Sequence, residues 1–468
     1  MGSGAPAATA HAVPSSAILT GYGIGSVGMG VWVTVPGLLL LYYLTNILGV
    51  SPALAGVVLL VPKAIDVVIH PWFGTVSDRQ RLRTGHRRTM MWIGLLLAAA
   101  LVAVFSVPAG LSGPAAAGWV AVFYIAGNLL FASFQVPYLT TPSDLDVDYN
   151  QRTRVMTFRM VVLTIGLLFA GVVAPAMVAS EERSSYSMMA VALGSLMVVS
   201  GSIAILAIKR MASMMAPPSP DHWHPTLGEG LRMAWDDHNF RWIVLSYLFT
   251  GTVTHLFLAG VPFYADYVLD DSKLTSALVG AFLAPAIVAS PVWLFVSKRI
   301  GKQRGLLISQ VGFAIGSAAL LAGSFLGVPV TLAIVLLLGV CFAGLQLMAF
   351  SMVPDVVRAA SSDGSKAASY TGVWTATEAA GTAIGPYVYS FVLFLGGFVA
   401  STAGQDVEQT STALRALLLG FTLVPAAIML LAISFQRRYR DPGRRRPVSS
   451  GPLPTVTAGS MEEIINPD

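Results

Sequence analysis

The chain has 468 residues, of which 55% are apolar and only 11% are charged. Soluble domains carry about 25% charged residues, so there are too few charges to cover a globule of this size, and a soluble enzyme is excluded. The formal net charge is +5, and the single cysteine, Cys341, excludes an intramolecular disulfide. The composition predicts a protein that crosses a membrane several times.

Twelve stretches are apolar over the roughly 20 residues that a membrane-spanning helix needs. The first is rich in glycine and contains Pro36, which a bilayer tolerates because glycine lets helices approach and neighbouring helices satisfy freed backbone groups. Residues 1–18 lack the basic start of a signal peptide and are predicted to form a disordered tail. The spans are predicted at 19–47, 53–76, 89–107, 114–140, 155–179, 186–208, 242–269, 274–297, 305–326, 328–353, 367–399 and 411–435.

The basic residues predict the orientation of the spans. With both termini in the cytoplasm, the inner segments carry 23 of the 28 lysines and arginines, and the outer segments carry three. Because basic residues favour the cytoplasmic side, both termini are predicted to be cytoplasmic, in the cell membrane. The tail, 436–468, begins with six arginines that would attract anionic lipid, and its remainder is predicted to be disordered.

A polar segment at 209–241 divides the spans into six and six, which predicts two related bundles, 19–208 and 242–435, joined by a cytoplasmic loop. Short segments at the same places in the two halves support a repeat. They are 71–79 with 291–299, and 142–144 with 354–355, each about 210 to 220 residues apart.

The segment from Gly74 to Asp78 and Arg79, followed by Arg87 and Arg88, resembles the loop signature of the major facilitator superfamily. In that signature the glycine permits tight packing, and the aspartate caps a helix end and pairs with basic residues. The resemblance implies an all-α membrane protein of twelve transmembrane helices in two pseudo-symmetric six-helix bundles, opened alternately to each side. This superfamily usually works as a monomer, so a monomer is expected.

Ionisable residues inside the spans are costly and usually functional, and Lys63, Asp66, His70, Arg159 and Glu378 are singled out here. Lys63, Asp66 and His70 are spaced three and four residues apart, on one helical face; the alternative is a neutralised pair that only orders the bundle. Arg159 begins the fifth span and could instead reach lipid headgroups. Glu378 lies well inside the eleventh span, where a carboxylate must carry a proton or find a cation.

A narrower resemblance is to the glycoside–pentoside–hexuronide cation symporters. It implies a cation-coupled transporter of a small organic solute such as a sugar, with Lys63, Asp66 and His70 in the cation site. Glu378 is also assigned to cation coupling, because it is predicted to lie well inside its span. The segments that carry the resemblance are 22–25, 42–46, 63–71, Pro137, Pro142, 158–159, 350–355 and Tyr370.

The departures from that family favour proton over sodium as the coupling ion. His70 stands where a second acidic residue is expected, and Ala132 where a polar cation-site residue is expected. Sodium needs hard oxygen ligands, whereas histidine titrates near neutral pH. Gly30 and Gln135 replace the aspartates of the sugar symporters and Glu378 replaces a lysine, so the clamp for a galactoside is absent.

Three functions remain open. The first is cation-coupled symport of a sugar or glycoside, and the second is proton-coupled transport of a more apolar, lipid-like or drug-like solute. The third is a membrane receptor or scaffold that does not transport. No cofactor, metal or nucleic-acid partner is expected, because no nucleophile–base spacing, metal cluster or phosphate-binding loop is present. The predicted solute pocket comprises Gln135, Tyr138, Arg159, Tyr370 and Trp374.

Overall fold

The computed structural model describes residues 15–147, 149–215, 227–360, 367–405 and 407–440. Most of the two predicted tails lies outside these residues, although the first helix already begins at Ser16. The helices are α1 (Ser16–Tyr42), α2 (Pro52–Thr84), α3 (Arg88–Gly94), α4 (Leu97–Phe105), α5 (Gly113–Asp144), α6 (Tyr149–Met177), α7 (Arg183–Arg210), α8 (Leu227–Asp236), α9 (His238–Tyr267), α10 (Leu274–Ile300), α11 (Lys302–Leu326), α12 (Val328–Ala360), α13 (Ala367–Leu395) and α14 (Ser411–Gln436).

The prediction of twelve transmembrane helices is confirmed. Ten spans in the described residues are long and apolar enough to cross a membrane, with α3 and α4 together forming one of them. The other two predicted spans correspond to α2, which carries Lys63 and Asp66, and α13, which carries Glu378. Both pack among the apolar helices and complete the set.

The predicted inner loops are too long. Helix α2 continues past its apolar part to Thr84 and ends where Gly85 adopts a φ of 72° and donates a hydrogen bond to the Arg81 carbonyl. Gly74, Asp78 and Arg79 therefore lie on a helix and not in a loop. In the same way, the segment predicted as loop 209–241 includes the helix α8 and the first turn of α9. Hydropathy marks where a helix leaves the lipid, whereas backbone hydrogen bonding decides where it ends.

The helices form two groups of six with the same internal contacts. In the first group α1 packs on α6 and α7, α2 on α5, and α4 on α5 and α7. In the second group α9 packs on α13 and α14, α10 on α12, and α11 on α12 and α14. The groups meet through α1 with α9, α2 with α13 and α6 with α10. This is the pseudo-symmetric arrangement of two six-helix bundles that the sequence predicts.

Contacts between the two groups concentrate at one end of the molecule, which we call the latch end, where α1 and α9 finish. The Tyr42 hydroxyl donates to Oδ2 of Asp266 at 2.8 Å, and the Asn46 side chain donates to the Tyr267 hydroxyl at 2.9 Å. We call the opposite end, where α2 finishes and α3 begins, the basic end.

Backbone groups also join the two helix groups at the latch end. The last residues of the first span, Tyr43–Ile47, form a π-helical turn. The Thr45 carbonyl accepts from the Ser401 amide at 2.9 Å, and the Ile47 carbonyl accepts from the Ala403 amide at 3.2 Å. The wide turn leaves these carbonyls without partners inside the helix, so the second group of helices satisfies them.

Candidate functional site

Lys63 and Asp66 lie in the middle of α2, on its buried face. Lys63 is 8% exposed and Asp66 is 5% exposed. The Lys63 ammonium donates to Oδ1 of Asn128 at 3.1 Å and lies 5.9 Å from the ring centroid of Tyr124. The charges of Lys63 and Asp66 are close enough to interact. His70 follows one turn later on α2, and its side chain lies outside what the structure describes.

Asn128 is a partner of Lys63 that the sequence did not reveal. Its Oδ1 accepts from both Lys63 Nζ and Nε1 of Trp32, the latter at 3.3 Å. Its Nδ2 is buried and has no hydrogen-bond partner among the described residues. The amide therefore fixes the position of the ammonium and keeps one donor available.

Arg159 extends the site from α6. It is 8% exposed, its guanidinium carbon lies 5.8 Å from the ring centroid of Tyr138, and its Nε has no hydrogen-bond partner among the described residues. The Tyr138 hydroxyl is occupied, since it donates to the Tyr22 carbonyl at 2.7 Å and contacts Oγ of Ser26 at 2.9 Å. Tyr138 thus offers the site a ring face, while its hydroxyl ties α5 to α1.

Glu378 and Trp374 form the opposite side of the site, on α13. Trp374 stacks on Tyr247 of α9 with ring centroids 4.0 Å apart, and Phe350 meets it edge-on at 5.7 Å. The indole Nε1 is buried without a hydrogen-bond partner in the described part of the chain. Glu378 is only partly buried, and its charge interacts with that of Arg159 in the other helix group.

Tyr370, a predicted pocket residue, lies apart from these contacts. Tyr370 donates to Oδ2 of Asp237 at 2.9 Å and packs its ring on Phe240 at 4.2 Å, at the basic end. Its hydroxyl is thus used in holding the start of α9. Gln135 is partly exposed on α5, one turn before Tyr138. The structure therefore groups Arg159, Trp374 and Glu378 and leaves Tyr370 outside that group.

Position 30 has no space for the carboxylate that the sugar symporters carry there. A Cβ on Gly30 would lie 2.9 Å from the carbonyl carbon of Gly166 and 2.9 Å from the amide nitrogen of Leu167. The backbones of α1 and α6 touch at this point. A side chain at position 30 would require α6 to move, so the missing aspartate follows from how these two helices pack.

The loop-motif residues form an ion-pair network at the basic end. Nε of Arg87 lies 2.9 Å from Oδ2 of Asp144, and Arg87 Nη1 lies 2.5 Å from Oδ1 of Asp78. Arg81 also pairs with Asp144. Arg79 is exposed, and Gly74 and Arg88 are partly exposed. The second helix group contains the corresponding contact, between Lys302 and Asp355, at the end of its own fourth span.

No three His, Cys, Asp or Glu residues lie close enough to hold a metal ion in the ranges that the structure describes. What those ranges do contain is a set of ionisable and aromatic side chains between two six-helix groups, at mid-depth. Two related six-helix groups of this kind are the arrangement of membrane transporters of the major facilitator fold.

The chain belongs to the MFS/sugar transport protein family, whose description it matches over residues 21–440. It is 23% identical over 402 residues to the isoprimeverose transporter of Lactiplantibacillus pentosus, covering 82% of this chain and 80% of that one. It is also 23% identical over 357 residues to the sodium-dependent lysophosphatidylcholine symporter 1 of Mus musculus, covering 69% of this chain and 66% of that one. The solved structure of the nucleoside transporter NupG superposes with a TM-score of 0.64 at 14% identity, over 91% of this chain and 100% of NupG. The resemblance to cation-coupled symporters is confirmed, and the protein is a secondary transporter.

Proposed function

We propose that this protein couples the inward movement of protons to the transport of a small organic solute such as a sugar or glycoside. One observation carries the proposal: α2, which carries the buried Lys63 and Asp66, packs on α13, which carries Glu378, so ionisable residues of both helix groups lie on the helices that join them. Charges buried in a membrane are retained for function. Because these charges lie between two bundles, the way they pair depends on which side of the protein is open.

In this proposal the conformation is one of the two end states of a transport cycle. Contacts at the latch end hold the two groups together, and the basic end is the cytoplasmic one if basic residues mark the inner side. In this proposal the molecule is in its inward-facing state. In the outward-facing state the latch contacts of Tyr42 and Asn46 would break, and the basic-end halves of the two groups would approach each other.

The coupling ion is a proton in this proposal because the site is poor in fixed oxygen ligands for a metal cation. Ala132 is fully buried and supplies no side-chain oxygen. Asp66 lies beside the Lys63 ammonium, which would oppose a second cation. Proton coupling requires only that Asp66 and Glu378 each gain or lose a proton as access alternates.

Solute recognition would use the unpaired donors and ring faces of the site. Nε of Arg159 and Nε1 of Trp374 are buried donors without partners among the described residues, and leaving such donors unpaired is costly. A hydroxyl-rich solute would satisfy both while lying against an aromatic face. The same donors would also bind a polar headgroup, so an apolar solute is the second candidate. It is favoured by the alanine at 132 and by the closed α1–α6 contact at Gly30.

The experiment is uptake into liposomes that contain the purified protein, with a panel of labelled sugars, glycosides and lysolipids. We expect one class to accumulate when the outside is acidified, and replacement of sodium by choline to leave the rate unchanged. A strict sodium requirement without any response to a proton gradient would disprove proton coupling. Binding of a solute without uptake of any panel member under either gradient would indicate a receptor.

A further inference from the structure

His255 is a partly buried histidine in the middle of α9, and both of its ring nitrogens have partners. Nδ1 lies 2.9 Å from the Gly251 carbonyl oxygen, one turn earlier on the same helix. Nε2 lies 3.2 Å from Oγ1 of Thr382 on α13. That hydroxyl is also 3.0 Å from the backbone carbonyl oxygen of Glu378. The ring thus links α9 to the turn of α13 that carries Glu378.

The partners limit where protons can be. A carbonyl oxygen only accepts, so Nδ1 must carry a hydrogen. Thr382 has one hydroxyl proton, which it gives either to Nε2 of His255 or to the Glu378 carbonyl. In the first case the histidine is neutral. In the second case Nε2 must donate to Oγ1, and the histidine is an imidazolium.

We propose that His255 is a proton-binding site of the transport cycle, in which the Thr382 hydroxyl turns between His255 and the Glu378 carbonyl as the proton binds and leaves. The two states need the same heavy-atom positions, because only a hydroxyl rotates. Every polar atom stays hydrogen-bonded in the imidazolium state. In the neutral state the Glu378 carbonyl oxygen loses only the hydrogen bond from the Thr382 hydroxyl, and it can still accept one from the helix backbone. A partly buried site with this property can bind a proton without disrupting the packing of α9 on α13.

The charge that His255 would gain faces the other helix group. Lys63 of α2, in the other helix group, is close enough to act on His255 electrostatically. Lys63 lies eleven residues from the latch end of α2, and His255 lies twelve from that end of α9, so both are about 17–18 Å deep at 1.5 Å per residue. Glu378 and Thr382 are the neighbouring groups on α13. A proton on His255 would therefore repel Lys63 across the interface and favour separation of the groups there.

This inference rests on proton coupling as the proposed function, but it concerns a different group from Asp66 and Glu378. It is tested first without transport, by ¹⁵N NMR of the full-length protein labelled on histidine, from pH 5 to 9. The signal that disappears in His255→Gln should show a hydrogen on Nδ1 when neutral, and it should titrate. A neutral ring with its hydrogen on Nε2, or a signal that does not titrate in this range, would overturn the proposal.

Variants of Thr382 test the hydroxyl. Thr382→Ser keeps the hydroxyl and should retain the wild-type titration. Thr382→Val removes the acceptor of the charged ring, and hydrogen bonds to charged groups are the stronger ones, so proton affinity at His255 should fall by about fivefold. An unchanged midpoint in Thr382→Val would exclude the relay. If His255→Gln fails to fold, the titration can still be followed in Thr382→Ser and Thr382→Val.

Transport then separates this inference from the proposed function. Where wild-type uptake depends on a proton gradient, His255→Gln should keep solute binding and exchange but show a flattened pH profile. An identical pH profile in wild type and His255→Gln would overturn the role of His255 and leave proton coupling intact. A wild type that ignores the gradient would instead overturn the proposed function, while the NMR titration would still decide whether His255 binds a proton.

Discussion

The ionisable residues of the interface differ in how completely their neighbours satisfy them. Lys63 is held by Asn128 and Tyr124 in its own helix group. Arg159 and Trp374 each keep a buried donor without a partner among the described residues. Because an unpaired buried donor costs about 1–3 kcal/mol, the free donors are expected where a solute binds, and the satisfied ammonium is expected to position Asp66.

Asp66→Asn should abolish concentrative uptake and leave expression and thermal stability close to wild type. Asparagine has the same shape but cannot hold a proton for release or balance the Lys63 ammonium. The measurement is uptake against a gradient in liposomes, with Asp270→Asn as the control. Asp270 is exposed and has a φ of 56°, which asparagine adopts readily. Full concentrative transport by Asp66→Asn would remove this residue from the coupling site.

Glu378→Gln should weaken the pH dependence of transport without abolishing solute binding. Glutamine keeps the length of the side chain and loses the titration, so Arg159 would face an unchanging partner. Substrate affinity is to be measured in wild type and mutant from about pH 5 to 8, with the exposed Glu408→Gln as the control. Superimposable profiles would assign Glu378 a purely structural role.

Sequence reasoning found the charged residues of the site more readily than their partners. Lys63, Asp66, Arg159 and Glu378 are evident because charge is rare within apolar spans. Asn128 was not, since its contact with Lys63 joins residues 65 positions apart. Only the folded helices bring such groups together, and an amide in a span is unremarkable in the sequence alone.

At the scale of the helices, close backbone contacts recur at equivalent places in the two groups. Gly30 of α1 meets Gly166 of α6 in the first group. Gly251 of α9 meets Gly381 of α13 in the second, one turn from His255. Small residues allow such contacts in membranes, where packing replaces the hydrophobic effect as the force between helices. The first contact holds α6, which carries Arg159, against α1. The second holds α13, which carries Glu378, against α9.

Gly30→Ala should lower the melting temperature, while Gly37→Ala on the same helix should not. The new Cβ at position 30 would lie 2.9 Å from backbone atoms of α6, whereas the surroundings of Gly37 are open within 4 Å. Overpacking of this kind costs about 1–3 kcal/mol. Thermal unfolding in detergent measures the difference. Equal melting temperatures for the two variants would show that α1 and α6 separate more easily than the contact implies.

The predicted helix centres agree with the structure, and the errors lie at the basic end. An apolar stretch of about 20 residues suffices to find a span, but α2 runs on from its predicted end at 76 to Thr84. The extension carries Asp78 and Arg81 into the ion-pair network, where they meet Arg87 and Asp144. Hydropathy could not predict this, because a charged helix outside the lipid looks like a loop in the sequence.

For the whole molecule, the latch end offers a direct test of alternating access. Leu48 and Thr402 form an isolated antiparallel bridge between the two helix groups, and the α-carbons of such pairs lie about 4.5–5.5 Å apart, within the range of a disulfide. Cysteines at both positions should cross-link on oxidation and stop uptake, and a reductant should restore it. The single variants are the controls, and the native Cys341 is buried. Undiminished uptake by fully cross-linked protein would mean that the latch need not open.

The latch has one further consequence, for how the protein can change over evolution. The bonds from Ser401 to Thr45 and from Ala403 to Ile47 use only main-chain atoms. Every amino acid except proline supplies the same amide and carbonyl, so drift in the side chains of these segments leaves the bonds in place. The lining of the proposed solute site, by contrast, consists of side chains that single substitutions replace. Descendants of this chain can therefore acquire new solutes while inheriting the same closure.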